Sequence, residues 1–219
     1  MDRRSFHRAL QVFVVMSASA GLGMVAGCNI LATGFYVITG NNVPADFNGL
    51  QGKRVAVVCR PVTALQYRNS TAARELAKQV GALLEQNGRN IKVINQREIA
   101  EWADENNWDD YNELGKAVHA DLVVGLDLEE FNLYQGQTLY QGKANLTISV
   151  YDPKVGNDPV YEKSLPQMLF PPSGGIPASE KSEQQFRRQF VSMLAERIAR
   201  QFYDHDASTD FASDSTALN

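Results

Sequence analysis

The chain has 219 residues, of which 44% are apolar and 21% are charged, and its mean hydropathy is -0.29. This composition is ordinary for a globular domain and excludes a disordered chain, a collagen-like chain and a protein with several membrane spans. The formal net charge of -4 argues against a nucleic-acid binder, because such proteins need a basic surface to release counterions from phosphates. We therefore expect one folded domain that binds no nucleic acid.

The first 27 residues have the layout of a secretory signal peptide. A polar start that includes Arg3, Arg4 and Arg8 precedes residues 9–27, which carry no charge. Because basic residues at the start of such a segment stay in the cytoplasm, the rest of the chain is expected on the far side of the membrane. An uncleaved helix is the alternative, since roughly 20 apolar residues can span a bilayer.

The end of this segment, Val25-Ala26-Gly27-Cys28, resembles the lipobox of bacterial lipoproteins. The resemblance implies that the signal is cut between Gly27 and Cys28 and that diacylglycerol is attached to the sulfur of Cys28. The protein would then be held at a membrane by lipid on Cys28, facing the periplasm. The sequence leaves open whether this is the inner or the outer membrane.

The polar start also resembles a twin-arginine export signal, with Arg3 and Arg4 followed two places later by the aromatic Phe6. Such a signal would carry the domain across the membrane already folded. An ordinary basic start for general secretion is the alternative.

Beyond the lipid anchor, hydrophobic periodicity predicts an α/β domain over residues 53–203. Strands and helices alternate in a βαβαβ order, which favours parallel strands. Two later strands are expected to join the same mixed sheet in antiparallel orientation. Proline and glycine predict a loop over 166–177, ahead of a long carboxy-terminal helix that packs on the sheet. We expect the flanking regions to be a lipid-anchored tether, 28–52, and a disordered acidic tail, 204–219. The predicted elements are strands at 53–60, 91–94, 121–128, 144–150 and 160–165, a helix of about eighteen residues from Ser70, helices capped by Asn95 and Asp110, and the last helix at 179–203.

Few groups in the domain offer chemistry. Cys59 lies in a β-branched run and is expected to pack as a small hydrophobic side chain. His119, the one histidine between the signal and the tail, is expected at a helix end. No zinc ligand set occurs, and the acids near Asp104 lack the glycine that a calcium loop needs. We therefore expect no metal, no cofactor and no enzymatic activity; the alternative is a secreted hydrolase or small-ligand-binding protein that uses carboxylates.

A short repeat, Leu-Tyr-Gln-Gly, occurs twice and places Tyr134 and Tyr140 around a hairpin. The two tyrosines would form an exposed aromatic contact surface for a partner, or would pack against each other across the strands.

The middle of the domain, residues 115–125, has the sequence GKAVHADLVVG, in which a helix ends before Ala120-Asp121 and leads into a strand. Together with the element order, it resembles the α/β domain of bacterial envelope lipoproteins. The similar proteins are the curli-secretion lipoproteins, the lipoprotein activators of penicillin-binding proteins, the amino-terminal domain of the Tol-Pal translocation protein and planctomycete lipoproteins. The resemblance covers residues 53–202 and implies a non-catalytic binding or assembly protein with an envelope protein as partner.

Overall fold

The computed structural model describes residues 42–61, 66–106 and 108–207, without the side chains of 66–69. The signal, the lipobox and the export motif therefore lie outside the described residues. In chain order the strands are β1 (Asn42–Val43), β2 (Arg54–Pro61), β3 (Lys92–Val93), β4 (Leu122–Gln135), β5 (Leu139–Tyr151), β6 (Tyr161–Phe170), β7 (Ile176–Pro177) and β8 (His205–Asp206), and the helices are α1 (Gln66–Asn87), α2 (Gln96–Glu105), α3 (Tyr111–Ala117) and α4 (Glu183–Ala199).

The main sheet is mixed, with strand order β3-β2-β4-β5-β6 and with β7 paired to β5. β2 runs parallel to both β3 and β4, whereas β5 is antiparallel to β4 and to β6. This arrangement confirms the predicted βαβαβ start followed by antiparallel strands. β1 and β8 form a separate two-stranded sheet.

One face of the main sheet is covered by α1 and α4. Side chains from the strands and from both helices form the larger apolar core, and Phe186 and Phe190 of α4 are fully buried in it. α4 lies close to β5, since a Cβ atom added to Gly142 would be only 2.6 Å from the ring of Phe190. The predicted packing of the carboxy-terminal helix on the sheet is thus confirmed.

The other face carries α2 and α3, which cover the parallel strands with a second, smaller core that includes Val58, Ile99 and Leu114. Both helices begin at the predicted caps. The side chain of Asn95 accepts from the amide of Arg97 at 2.9 Å, and that of Asp110 accepts from the amide of Asn112 at 2.8 Å. Among the described residues, no helix has both the length and the apolar content that a membrane span requires.

The loop predicted for residues 166–177 is wrong over part of its length. β6 continues through Pro166 to Phe170, and Ile176–Pro177 form β7. Proline is tolerated here because Pro166 falls between the register pairs Leu146↔Leu165 and Ala144↔Met168, where it has no partner on β5, and because no other described strand lies beside β6. The register of β5 and β6 shifts between Ala144 and Leu146, opposite this proline.

Parts of the segments predicted as tether and tail are described and contact the domain. Leu50 is fully buried, and the ring of Phe47 lies 5.0 Å from that of Tyr161. The amide of Ala45 donates to the carboxylate of Asp204 at 3.0 Å. The described residues from Val43 onward belong to one compact unit.

Candidate functional site

A groove opens at the carboxyl end of β2, between α1 and α2. Its volume is about 870 Å³, within the size range of ligand-binding clefts. The floor is formed by Val58, Cys59 and Pro61 of β2, and Trp108 also lines it. The walls include Thr71, Arg74, Glu75, Ala77 and Lys78 of α1 and Arg97, Ala100, Ala103 and Asp104 of α2.

Each of the two carboxylates that line the groove has its own polar partner, an arginine for one and a glutamine for the other. Arg74 reaches across from α1 to Asp104 on α2, with 3.4 Å between Nη2 and Oδ1. Glu75 accepts from the side-chain amide of Gln79 at 2.8 Å. A glycosidase needs two carboxyl groups that face each other across the substrate, whereas each of these acids is engaged by a different side chain. The lining therefore gives no support to the hydrolase that the sequence left as an alternative.

A polar cluster links the carboxyl end of β2 to the middle of β4. Arg60 and Asp127 are partners in the parallel register, and Arg60 Nε lies 3.2 Å from Asp127 Oδ1. The hydroxyl of Tyr111 donates to the same oxygen at 2.8 Å, and the Arg60 guanidinium lies 4.9 Å from the centre of the Tyr111 ring. Burial and the charge of Asp127 raise the pKa of Tyr111, so its hydroxyl remains a hydrogen-bond donor.

Aromatic rings extend this cluster across the face of the sheet that carries α2 and α3. Tyr111 stacks on Tyr151 at 5.1 Å between ring centres, and Trp108 lies 5.7 Å from Tyr111 and 6.1 Å from Trp102. Gly125 leaves the space beneath Tyr111, because a Cβ atom there would be 2.8 Å from the ring. The sequence signals were a glycine inside a β-branched strand and an aspartate two places later, but neither shows which helix residue packs above them.

Cys59 and His119 have the structural roles that the sequence predicts. Burial, with a smaller contribution from Asp127, raises the pKa of the Cys59 thiol, so it stays protonated and is a poor nucleophile. His119 is exposed at the end of α3 with φ of 54°, the left-handed conformation of a helix terminus. The amide of Ala120 donates to the carbonyl of Gly115 at 2.8 Å, which closes this terminus. The described residues contain no group of three acids, histidines or cysteines placed to hold a metal.

Tyr134 and Tyr140 are cross-strand partners with ring centres 5.1 Å apart. Tyr140 is only 5% exposed and stacks on Phe186, so it belongs to the core. Tyr134 is 37% exposed, and its hydroxyl donates to Glu183 at 2.7 Å. The pair therefore offers one accessible ring rather than two, and a partner contact at Tyr134 stays a prediction.

The Ala120-Asp121 pair joins the starts of two parallel strands. Asp121 Oδ2 accepts from the amide of Arg54 at 3.0 Å, and Oδ1 accepts from Lys154 Nζ at 3.1 Å. The Arg54 amide and Lys154 lower the pKa of this carboxyl group. The pair thus stabilises the end of the sheet opposite the groove.

The other predicted site residues, Arg3, Arg4, Phe6, Gly27 and Cys28, lie outside the described residues. Their roles in export, cleavage and lipidation stay predictions.

The domain is a mixed α/β fold with a groove at the carboxyl end of β2. No family model matches the chain, and no curated protein matches it. Solved structures that resemble it include a PelC dodecamer from Paraburkholderia phytofirmans, with 13% identity, a TM-score of 0.46 and coverage of 74% of this chain and 96% of that one. Lipoprotein GNA1162 from Neisseria meningitidis has 13% identity, a TM-score of 0.40 and coverage of 67% and 97%.

A minor lipoprotein from Acinetobacter baumannii has 14% identity, a TM-score of 0.37 and coverage of 68% and 91%. The neighbours thus include bacterial lipoproteins with an α/β fold. The particular families named from the sequence, and a planctomycete source, stay predictions.

Proposed function

We propose that the protein is a lipid-anchored binding protein of the bacterial cell envelope that faces the periplasm and works without catalysis. The observation that carries the proposal is the tetrapeptide ending in Cys28, placed directly after an uncharged stretch of signal-peptide length. Its partner is another envelope protein, and its export uses the twin-arginine route through Arg3, Arg4 and Phe6.

Lipid on Cys28 supplies the attachment in this proposal. Each buried CH₂ group contributes about 0.8 kcal/mol, so the two or three acyl chains of a lipoprotein hold it stably where one chain would not. Thirteen residues, 29–41, separate Cys28 from β1 and span at most about 45 Å when extended. This length of chain sets the upper limit on the distance between the proposed lipid and β1.

Binding rather than chemistry is supported by the state of the reactive groups. The Cys59 thiol stays protonated, and the two acids of the groove, Glu75 and Asp104, have separate partners, Gln79 and Arg74. The groove offers volume, a floor formed by β2 and charged walls, which suit a recognition site.

The experiment is mass spectrometry of the mature amino terminus after expression of the full-length chain in a bacterium with two membranes. We expect a first residue of Cys28 carrying diacylglycerol, and a protein that fractionates with membranes. Cys28→Ser is expected to leave the signal uncut and to abolish lipid labelling, because a hydroxyl cannot form the thioether.

Cys59→Ser is the matched control, since it removes the other cysteine of the chain. It should be cut and labelled like the unchanged protein. An unmodified Cys28 in a full-length chain that still sediments with membranes would overturn the proposed anchor in favour of an uncleaved helix.

A further inference from the structure

β2 has an edge that the described sheet leaves open. β3 pairs with β2 over two positions only, the second being Val55↔Val93. β2 itself continues to Pro61, paired along its other side with β4. In the order β3-β2-β4-β5-β6, no further described strand lies beside residues 57–61.

The hydrogen bonds at the start of β2 show which of its backbone groups point toward this edge. The carbonyl of Val55 accepts from the amide of Ile94 at 2.9 Å, and the carbonyl of Val57 accepts from the side-chain amide of Gln96 at 2.9 Å. Because a strand repeats every two residues, the amide and carbonyl of Cys59 point the same way. Gln96 thus stands where the amide of a neighbouring strand would stand, and the next backbone groups along the edge belong to Cys59.

The groove follows this edge and has room for a chain. Small side chains on its walls, Ala77, Ala100 and Ala103, keep α1 and α2 from filling the space beside residues 57–61. These five positions of β2 span about 16 Å at 3.3 Å per residue. A volume of about 870 Å³ suits a short extended segment better than a helix, which is 10–12 Å wide with its side chains.

The charges of the walls favour an acidic occupant. Arg74 and Lys78 lie one turn apart on α1 and line the groove. Arg97 on α2 also lines it but pairs with Glu101 of the same helix at 2.7 Å, so the positive charge offered to an occupant comes from Arg74 and Lys78. The ion pair of Arg74 and Asp104 crosses the groove, but both side chains are about two-thirds exposed, at 68% and 66%. Exposed pairs of this kind contribute little stability, so the pair opens easily when a segment enters.

We propose that an extended segment of a partner protein, carrying an acidic side chain, adds to the edge of β2 as a further strand in this groove. Backbone bonds to Cys59 hold the segment, and Arg74 and Lys78 select its acidic residue. The inference rests on the proposed function, since it names the site and the class of partner for that binding.

The test begins with random octapeptides displayed on phage and selected against the full-length chain, followed by synthesis of the enriched peptides. Methyl groups are then placed on alternate backbone amides of one peptide. One version of the peptide is methylated at the odd-numbered amides and the other at the even-numbered amides. If the peptide binds as a strand, one version binds at least about tenfold more weakly, because its methylated amides are those that bond to β2. The other version should bind normally, because its methylated amides point away from β2.

Variants of the chain locate the site. Ala100→Trp fills the groove and is expected to abolish binding, whereas Ala117→Trp, at an exposed position of α3, serves as the control and should bind normally. Lys78→Glu is expected to weaken binding of acidic peptides about fivefold or more while leaving the circular dichroism spectrum unchanged.

The proposal is overturned if no peptide is enriched, if both methylated sets bind equally, or if folded Ala100→Trp binds as well as the control. Should Ala100→Trp not fold, the methylated peptides decide alone. Self-association that Ala100→Trp removes would identify a second copy of the chain as the occupant and would also overturn the proposal. Lipid on Cys28, measured in the same preparation, separates the two proposals: lipid without peptide binding refutes only the groove, and peptide binding without lipid refutes only the anchor.

Discussion

Gly125→Ala should destabilise the protein, because the new methyl group would collide with Tyr111. The added Cβ atom would lie 2.8 to 3.0 Å from three ring atoms, whereas ordinary contacts begin near 3.4 Å, so the ring must move by about 0.6 Å. Tyr111 is only 3% exposed and is enclosed by Trp108, Tyr151 and Arg60, so it has little room to move.

The magnitude follows from two costs and one gain. Overpacking of a buried side chain costs about 1–3 kcal/mol, and a shift of the ring also weakens its hydrogen bond to the charged Asp127, which is worth about 1.5–3 kcal/mol when intact. Replacing glycine by alanine in a strand adds about 0.5–1 kcal/mol to the free energy of unfolding, because alanine restricts the unfolded chain. We expect a net loss of about 1–3 kcal/mol in the free energy of unfolding.

Urea unfolding of the full-length chain measures this loss, and the fluorescence of Trp102 and Trp108 reports the region directly. The same glycine substitution is made in a Tyr111→Leu background, where the ring is absent and Gly125→Ala should cost less than about 0.5 kcal/mol. An equal cost in both backgrounds would refute the reasoning, since the loss would then not arise from contact with Tyr111.

Two further substitutions test other parts of the fold. His119→Gly should raise the free energy of unfolding by up to about 1 kcal/mol in urea titrations, because glycine adopts φ of 54° without strain; a loss of stability would contradict this role of the helix end. Burial, aided by Asp46, raises the pKa of Tyr161 to about 12 from its ordinary value near 10, so the stability that its neutral form contributes is complete below pH 10 and is lost as the pH rises toward 12. In Tyr161→Phe the fall in stability between pH 10 and pH 12 should be shallower, and an unchanged fall would exclude Tyr161 as a source.

The order of elements is readable from the sequence because each one has a local signal. Asn95 and Asp110 are cap residues that bond to amides two positions later, so the helix starts depend on near neighbours alone. The β-branched run of β2 and the alternation of β5 depend on burial of one or both faces, which leaves a pattern in the sequence.

The loop predicted for 166–177 is wrong over part of its length because the decisive fact is not local. Whether Pro166 ends a strand depends on whether a neighbour needs its amide, and that depends on the position of β6 in the sheet. Proline does remove one hydrogen-bond donor, but Pro166 has no register partner on β5 because the pairing shifts at this point.

The groove and the Arg60-Asp127-Tyr111 cluster could not be predicted from the sequence, and the reason is again that they depend on residues far apart in the chain. Arg60 and Asp127 are 67 positions apart and meet only through the register of two parallel strands. The open edge of β2 exists because β3 ends after two residues, whereas the apolar pattern at 91–94 predicts a longer strand. Sequence patterns determine the type of an element more firmly than its length or its partners.

The contact between Ala45 and Asp204 means that the chain enters and leaves the folded unit at one place. The backbone bond from Phe47 to the carbonyl of Gln201, at 3.0 Å, reinforces it. Domains with adjoining ends tolerate circular permutation and insertion into host proteins. This unit is therefore suited to insertion into a surface turn of another protein, with a short linker on each side.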